Sequence, residues 1–134
     1  MKKILIIDDS ADFREMVKDM LEDADYEVSE ASSAEKALSL CEREKFSLII
    51  CDLVLPVVEE PDSEPLEEND SVMVGVGAIQ KLSTLYPSVP IIAVSGQMTG
   101  APLKAMVKFG AISCLSKPFG RDELLRAVTA VLAQ

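Results

Sequence analysis

Short apolar runs alternate with helix-period segments five times along the chain. Ile4-Leu5-Ile6-Ile7 opens the pattern, and Phe13, Met16, Val17, Met20 and Leu21 then recur at spacings of three and four, which predicts an amphipathic helix ending near Ala24. A short strand is expected from Tyr26 to Glu30. Ser32 with Glu35 three residues later matches a capping box, and Ala34, Ala37, Leu38 and Cys41 supply the buried stripe of the next helix. The third strand is expected from Ser47 to Cys51, the third helix from Ala78 to Leu85, stopping before Pro87, and the fourth strand from Pro90 to Val94. Pro102 suits the first turn of a further helix through Phe109, with Gly110 as the residue that ends it. Ala111 to Leu115 reads as a fifth strand, and Leu124, Leu125, Val128 and Leu132 mark a closing helix.

Strands that read as continuous apolar runs are buried on both faces, as in a parallel sheet covered by helices. Five β–α units joined by right-handed crossovers give an α/β fold with a single doubly wound five-stranded parallel sheet, most simply in the flavodoxin-like order 2-1-3-4-5. At 134 residues the chain suits one domain, 1–134. Residues 57–71 break the rhythm: fifteen residues hold Glu59, Glu60, Asp62, Glu64, Glu67, Glu68 and Asp70 with two prolines, too little apolar surface to offset ordering. They are expected to form a mobile acidic insertion, serving either as a tolerated surface loop or as a lid or docking element.

The net charge of −10 disfavours nucleic acid as a partner of this domain, because phosphate contacts need a basic face. That charge is uneven: residues 1–56 carry −7, residues 57–71 carry −7, and residues 72–134 carry +4. No apolar run has the length of a membrane span or a signal-peptide core, so a cytoplasmic location without membrane attachment is expected. Cys41, Cys51 and Cys114 are odd in number and lack metal-ligand spacing, which suits reduced structural thiols. The chain has no histidine, which excludes a Ser/His or Cys/His triad and a role as histidine phosphodonor.

Chemistry gathers at the strand ends. Asp8 and Asp9 follow the first run, Asp52 follows Leu48-Ile49-Ile50-Cys51, Ser95 follows Ile91-Ile92-Ala93-Val94, and Lys117 precedes Pro118. In an open parallel sheet the C-terminal strand ends share one edge, so these residues should meet in one crevice. Three close carboxylates repel one another unless a cation intervenes, and all-oxygen ligation favours a hard ion such as Mg²⁺, which fills its shell with water and phosphate oxygens. A metal-dependent phosphate site is the expected function. Taken singly, an Asp-Asp pair is an ordinary cap or turn, a Lys-Pro an ordinary surface turn and a serine an ordinary loop hydroxyl. Their order along one sheet edge is what argues for a site.

The chain resembles the receiver domain of two-component response regulators. The resemblance rests on Ile4-Leu5-Ile6-Ile7-Asp8-Asp9-Ser10, on Asp52-Leu53-Val54-Leu55-Pro56, on Ser95-Gly96 and on Lys117-Pro118-Phe119, in order, with Val72-Met73-Val74-Gly75 resuming the pattern after the acidic segment. It implies that Asp52 accepts a phosphoryl group from a sensor histidine kinase or phosphotransfer protein. It also implies that Asp9, Asp52 and the Val54 backbone carbonyl hold Mg²⁺ or Mn²⁺, with Asp8 reaching it through water. Ser95, Gly96 and Lys117 would bind phosphate, the Lys117-Pro118 bond would be cis, and the output would pass to a downstream protein target. On this resemblance the protein is a switch that assists its own phosphorylation and dephosphorylation, not an enzyme.

Two departures stand out. Receivers usually carry an aromatic residue three positions before the lysine, where this chain has Cys114, and a branched apolar side chain, Val54, stands two residues after the phosphoacceptor. Val54 also weighs against an aspartyl-phosphate hydrolase of the haloacid dehalogenase type, which would place its second acid there. A pseudo-receiver serving as a constitutive interaction module is disfavoured by the intact Asp52, Ser95 and Lys117. Gly75 and Gly77 do not make a dinucleotide loop, which should follow the first strand, and are expected to shape the entry to the third helix.

Overall fold

The computed structural model describes residues 2–53, 68–96 and 105–133. Its strands are β1 (Lys3–Ile7), β2 (Glu27–Ala31), β3 (Leu48–Asp52), β4 (Ile91–Ser95) and β5 (Ser113–Ser116). Its helices are α1 (Ala11–Asp23), α2 (Ala34–Arg43), α3 (Glu68–Leu85) and α4 (Arg121–Leu132), with a 3₁₀ helix over Ala105–Phe109. All strand pairs are parallel, in the order β2-β1-β3-β4-β5, so the expected doubly wound, flavodoxin-like α/β sheet is what the chain forms.

Alternate residues of the central strands face opposite layers. Leu5, Ile7, Ile49, Cys51, Ile91 and Ala93 pack with Ala37, Phe46, Ile79 and Leu82 beneath α2 and α3. Ile4, Ile6, Leu48, Ile50, Ile92 and Val94 pack with Val17, Leu21, Leu124 and Val128 beneath α1 and α4. Both faces being covered explains why the sequence runs are unbroken rather than alternating. Each fully buried Ile or Leu contributes about 1.5–3 kcal/mol, so the sheet's central strands make a rigid floor for its C-terminal edge. Among the described residues no helix is long and apolar enough to cross a membrane.

Several local expectations are corrected. The cap of α2 is Ser33, whose Oγ accepts from the Lys36 N–H at 3.3 Å, while the Ser32 Oγ accepts from the Lys36 side chain. Ser33 has the extended backbone that a cap requires, so the helix starts one residue later than the capping-box reading placed it. Helix α3 begins at Glu68, ten residues before Ala78, and takes in residues 68–71 of the acidic segment. Acids in the first turn of a helix are favoured by its dipole, which a composition argument overlooks. Residues 57–67, the rest of that segment, lie outside the described residues, as does Pro102. The part of the expected fourth helix that lies among the described residues, Ala105–Phe109, is 3₁₀ and is followed by Gly110 with a φ of +116°.

Gly75 and Gly77 lie inside α3, not at its entry. A Cβ at Gly75 would coincide with the Leu53 carbonyl, whereas one at Gly77 would meet nothing. Gly75 therefore lets α3 rest directly on the backbone that leaves β3, one residue beyond Asp52. A glycine inside a helix costs about 1 kcal/mol relative to alanine, and here the close crossing explains it.

Candidate functional site at the sheet edge

The edge is assembled by register. Asp52 pairs with Val94, and Ser95 pairs with Ser116, which sets Asp52, Ser95 and Lys117 at neighbouring strand ends. Backbone bonds extend the pairing past the strands: Leu53 N–H donates to Val94 O at 2.9 Å, Lys117 N–H to Ser95 O at 2.9 Å, and Asp8 N–H to Ala31 O at 3.1 Å. Asp8, Asp52 and Ser95 are the buried polar residues of the described chain. Burial of two acids at one place demands compensation.

Lys117 supplies it. Its Nζ donates to Asp8 Oδ2 at 2.8 Å and to Asp52 Oδ2 at 2.9 Å, and it stands 3.9 Å from the centre of the Phe13 ring. The Lys117-Pro118 peptide is cis, as the receiver resemblance implied. Burial works to lower the Lys117 pKa, yet the two carboxylates outweigh it and leave the ammonium above its ordinary value. Asp8 goes the other way from a typical paired acid: burial raises its pKa, opposed by Lys117 and by the Ser10 N–H that donates to Oδ1 at 2.8 Å, and reinforced by Asp52.

Asp9 is exposed, and carboxylate oxygens of Asp8, Asp9 and Asp52 all lie within 4.8 Å of one another. Three hard oxygen donors, one of them open to solvent, fit a divalent ion that keeps part of its water shell. At Gly96 a Cβ would make ordinary contact with the Lys117 stem, at 3.5 Å, among the described residues. Cys114 sits in β5 against the layer of α2 and α3. Val54, expected to lend its carbonyl, lies outside the described residues. Cys51 is fully buried, its Sγ–H donates to the Asp52 carbonyl at 3.4 Å, and burial together with the adjacent acids pushes its thiol far up, so it is an inert structural thiol.

Sequence reasoning missed three contributors. Ser10 both caps α1 through the Phe13 N–H and donates its own amide to Asp8. Arg14 donates to the Asp8 carbonyl at 2.6 Å while its Nε reaches Glu30. Phe13 faces the Lys117 ammonium, although its place in a regular apolar stripe gave only a core signal.

A model of the response regulator receiver domain matches residues 4–61, which contain Asp8, Asp9 and Asp52. Chemotaxis protein CheY of Thermotoga maritima is 28% identical over 131 residues, an alignment covering 97% of both chains and so reaching Ser95 and Lys117. The chain belongs to the response regulator receiver family. The solved CheY4 of Vibrio cholerae overlays this receiver with a TM-score of 0.80 at 28% identity, covering 98% of each chain. A response regulator of Rickettsia bellii described as NtrX-like is 28% identical over 122 residues, covering 91% of this receiver and 23% of that protein. This receiver thus spans about a quarter of the length of its NtrX-like relatives. Receivers are signalling switches of two-component systems, and the domain is of that kind.

Proposed function

We propose that Asp52 accepts a phosphoryl group from the phosphohistidine of a sensor kinase or phosphotransfer protein, and that the acyl phosphate alters the domain's contacts with a downstream protein. The observation that carries this reading is the Lys117 ammonium held between the Asp8 and Asp52 carboxylates. A carboxylate oxygen of Asp52 forms the new O–P bond as the donor's P–N bond breaks, and the bonding pair stays on the imidazole nitrogen. Such transfers are loose, so alignment and neutralisation of the three equatorial oxygens dominate catalysis. Lys117 serves one oxygen by exchanging a carboxylate partner for it, and the Ser95 hydroxyl with the Gly96 N–H serves another. Asp9 and Asp52, with the Val54 carbonyl and with Asp8 through water, would hold Mg²⁺ or Mn²⁺, which supplies neutralisation of the remaining oxygen.

Whole-chain residues 1–134 are read as one receiver, with the acidic segment as an insertion ahead of and into α3. Cys114 carries no ring to swing inward, so the conformational readout is expected to pass through the Ser95 strand end and the α3 crossing at Leu53. Incubation with Mg²⁺ and acetyl phosphate followed by intact mass measurement tests the reading. One phosphoryl mass is expected, absent without the metal and absent in Asp52→Asn. Labelling of Asp52→Asn would overturn the assignment, and no labelling of the parent protein would leave a pseudo-receiver.

A further inference from the structure

Four contacts close a ring around Lys117. The Asp8 carboxylate accepts from Lys117 Nζ through Oδ2 and from the Ser10 amide through Oδ1. Ser10 Oγ accepts from the Phe13 amide at 3.2 Å, and the Phe13 ring lies over Lys117 Nζ. Phe13 is itself braced edge-to-face by Phe119, with ring centres 5.7 Å apart and planes at 81°. Phe119 is buried in the layer beneath α1 and α4, two residues after Lys117. The ammonium therefore meets carboxylates on one side and an aromatic face, fixed at both backbone and ring, on another.

The geometry points to Phe13 as a positioning residue: its ring face keeps the Lys117 ammonium in the crevice while the lysine exchanges a carboxylate for a phosphoryl oxygen. A lysine stem is long and readily leaves for water, and during the exchange at least one of its two ion pairs must open. The ring contact does not depend on either acid, so it persists through that step. A quadrupole attracts a cation without offering a competing hydrogen-bond acceptor, which leaves the ammonium's protons available to the incoming oxygen. A leucine of similar bulk would fill the space without that attraction.

This inference rests on Asp52 being the phosphoacceptor only for its kinetic consequence, so the test has two arms. In the first, with neither metal nor phosphoryl donor, carbon–proton NMR follows the ε-methylene of Lys117, whose protons are shielded upfield by the ring in the parent. Phe13→Leu should return them to the ordinary lysine position, and Phe13→Tyr should keep them upfield. In the second, labelling by acetyl phosphate with Mg²⁺ should slow by about two- to tenfold in Phe13→Leu and in a protein carrying pentafluorophenylalanine at position 13, and recover in Phe13→Tyr. Unshifted ε-protons in the parent, or parental labelling by the leucine and pentafluoro proteins, would overturn the proposal. Equal slowing by leucine and tyrosine would also overturn it, because shape rather than the ring face would then matter. Absence of labelling in the parent, with the ε-proton shifts as expected, would count against the phosphoacceptor reading and leave the ring contact standing.

Discussion

Lys117→Met removes the ammonium while keeping a flexible apolar stem under the Phe13 ring, and its effect on stability can be worked from the site. The parent places one cation 2.8 Å and 2.9 Å from two acids that are almost wholly buried. At an effective dielectric of about 20 each pair attracts by roughly 6 kcal/mol, against which stand the desolvation of all three groups and the repulsion between the acids. Removing one partner of a buried pair typically costs about 3–5 kcal/mol, and the side chain's partial exposure brings the expectation here to about 2–4 kcal/mol. For a domain of this size that is roughly 6–15 °C in melting temperature.

The pH dependence separates charge from packing. Lys117 has a raised folded pKa, so its contribution is fully present at neutral pH and is lost only as pH climbs past the lysine range. Asp8 also has a raised folded pKa, which in the variant rises further once the opposing ammonium is gone. A raised acid contributes stability that is present below the unfolded value and lost as pH rises, so the variant should fall behind the parent progressively from pH 5 to pH 7.5. Urea unfolding at both pH values, in chelator and in millimolar Mg²⁺, is the assay. The deficit should be larger at pH 7.5, shrink with Mg²⁺, and shrink in the double variant with Asp8→Asn. A deficit of equal size at both pH values and in both ionic conditions would refute the electrostatic account and assign Lys117 a packing role.

The glycines of α3 give a contrasting pair: Gly77→Ala should stabilise by about 0.5–1 kcal/mol, while Gly75→Ala should destabilise by about 1–3 kcal/mol or more, both read by thermal unfolding. A benign Gly75→Ala would mean that α3 does not rest on Leu53. Gly110→Ala combines a left-handed φ with an approach of 2.6 Å to Ser83 Cβ and should cost about 1–3 kcal/mol in urea titrations. Ser33→Ala should lose about 0.5–2 kcal/mol and Ser32→Ala far less, and the reverse order would restore the capping-box reading. Asp8→Asn alone should raise stability at pH 7.5 and not near pH 4, because it removes an acid whose charged form the fold disfavours, and should weaken Mg²⁺ binding measured by calorimetry.

The sheet was legible from its central strands β1, β3 and β4, which are covered on both sides and so read as apolar runs with polar residues marking their ends, whereas the edge strands β2 and β5 carry polar residues and are only partly buried. The site followed, since those ends share an edge whatever the helices do. The start of α3 was not legible: Glu68 to Asp70 belong compositionally to an acidic coil, and the close crossing of Gly75 over Leu53, which sets α3 against the sheet, is not a local pattern. Ser32 and Ser33 offer the same chemistry one residue apart, and only backbone conformation chooses between them. Phe13 was hidden for a different reason. Its spacing is that of a core residue, and it packs against the core, partly buried, with its ring under a cation supplied from the far end of the chain.

The bonds of Lys117 to Asp8 and Asp52 span 109 and 65 residues. A chain growing from the ribosome therefore carries both acids long before the lysine that balances them, and contacts so distant in sequence form late. Until β5 docks, the crevice lacks the ammonium that balances its carboxylates. Competence to be charged therefore arrives with β5, so on the chemistry proposed here a copy whose sheet lacks that strand stays silent, and the signal reports that the sheet itself has been assembled.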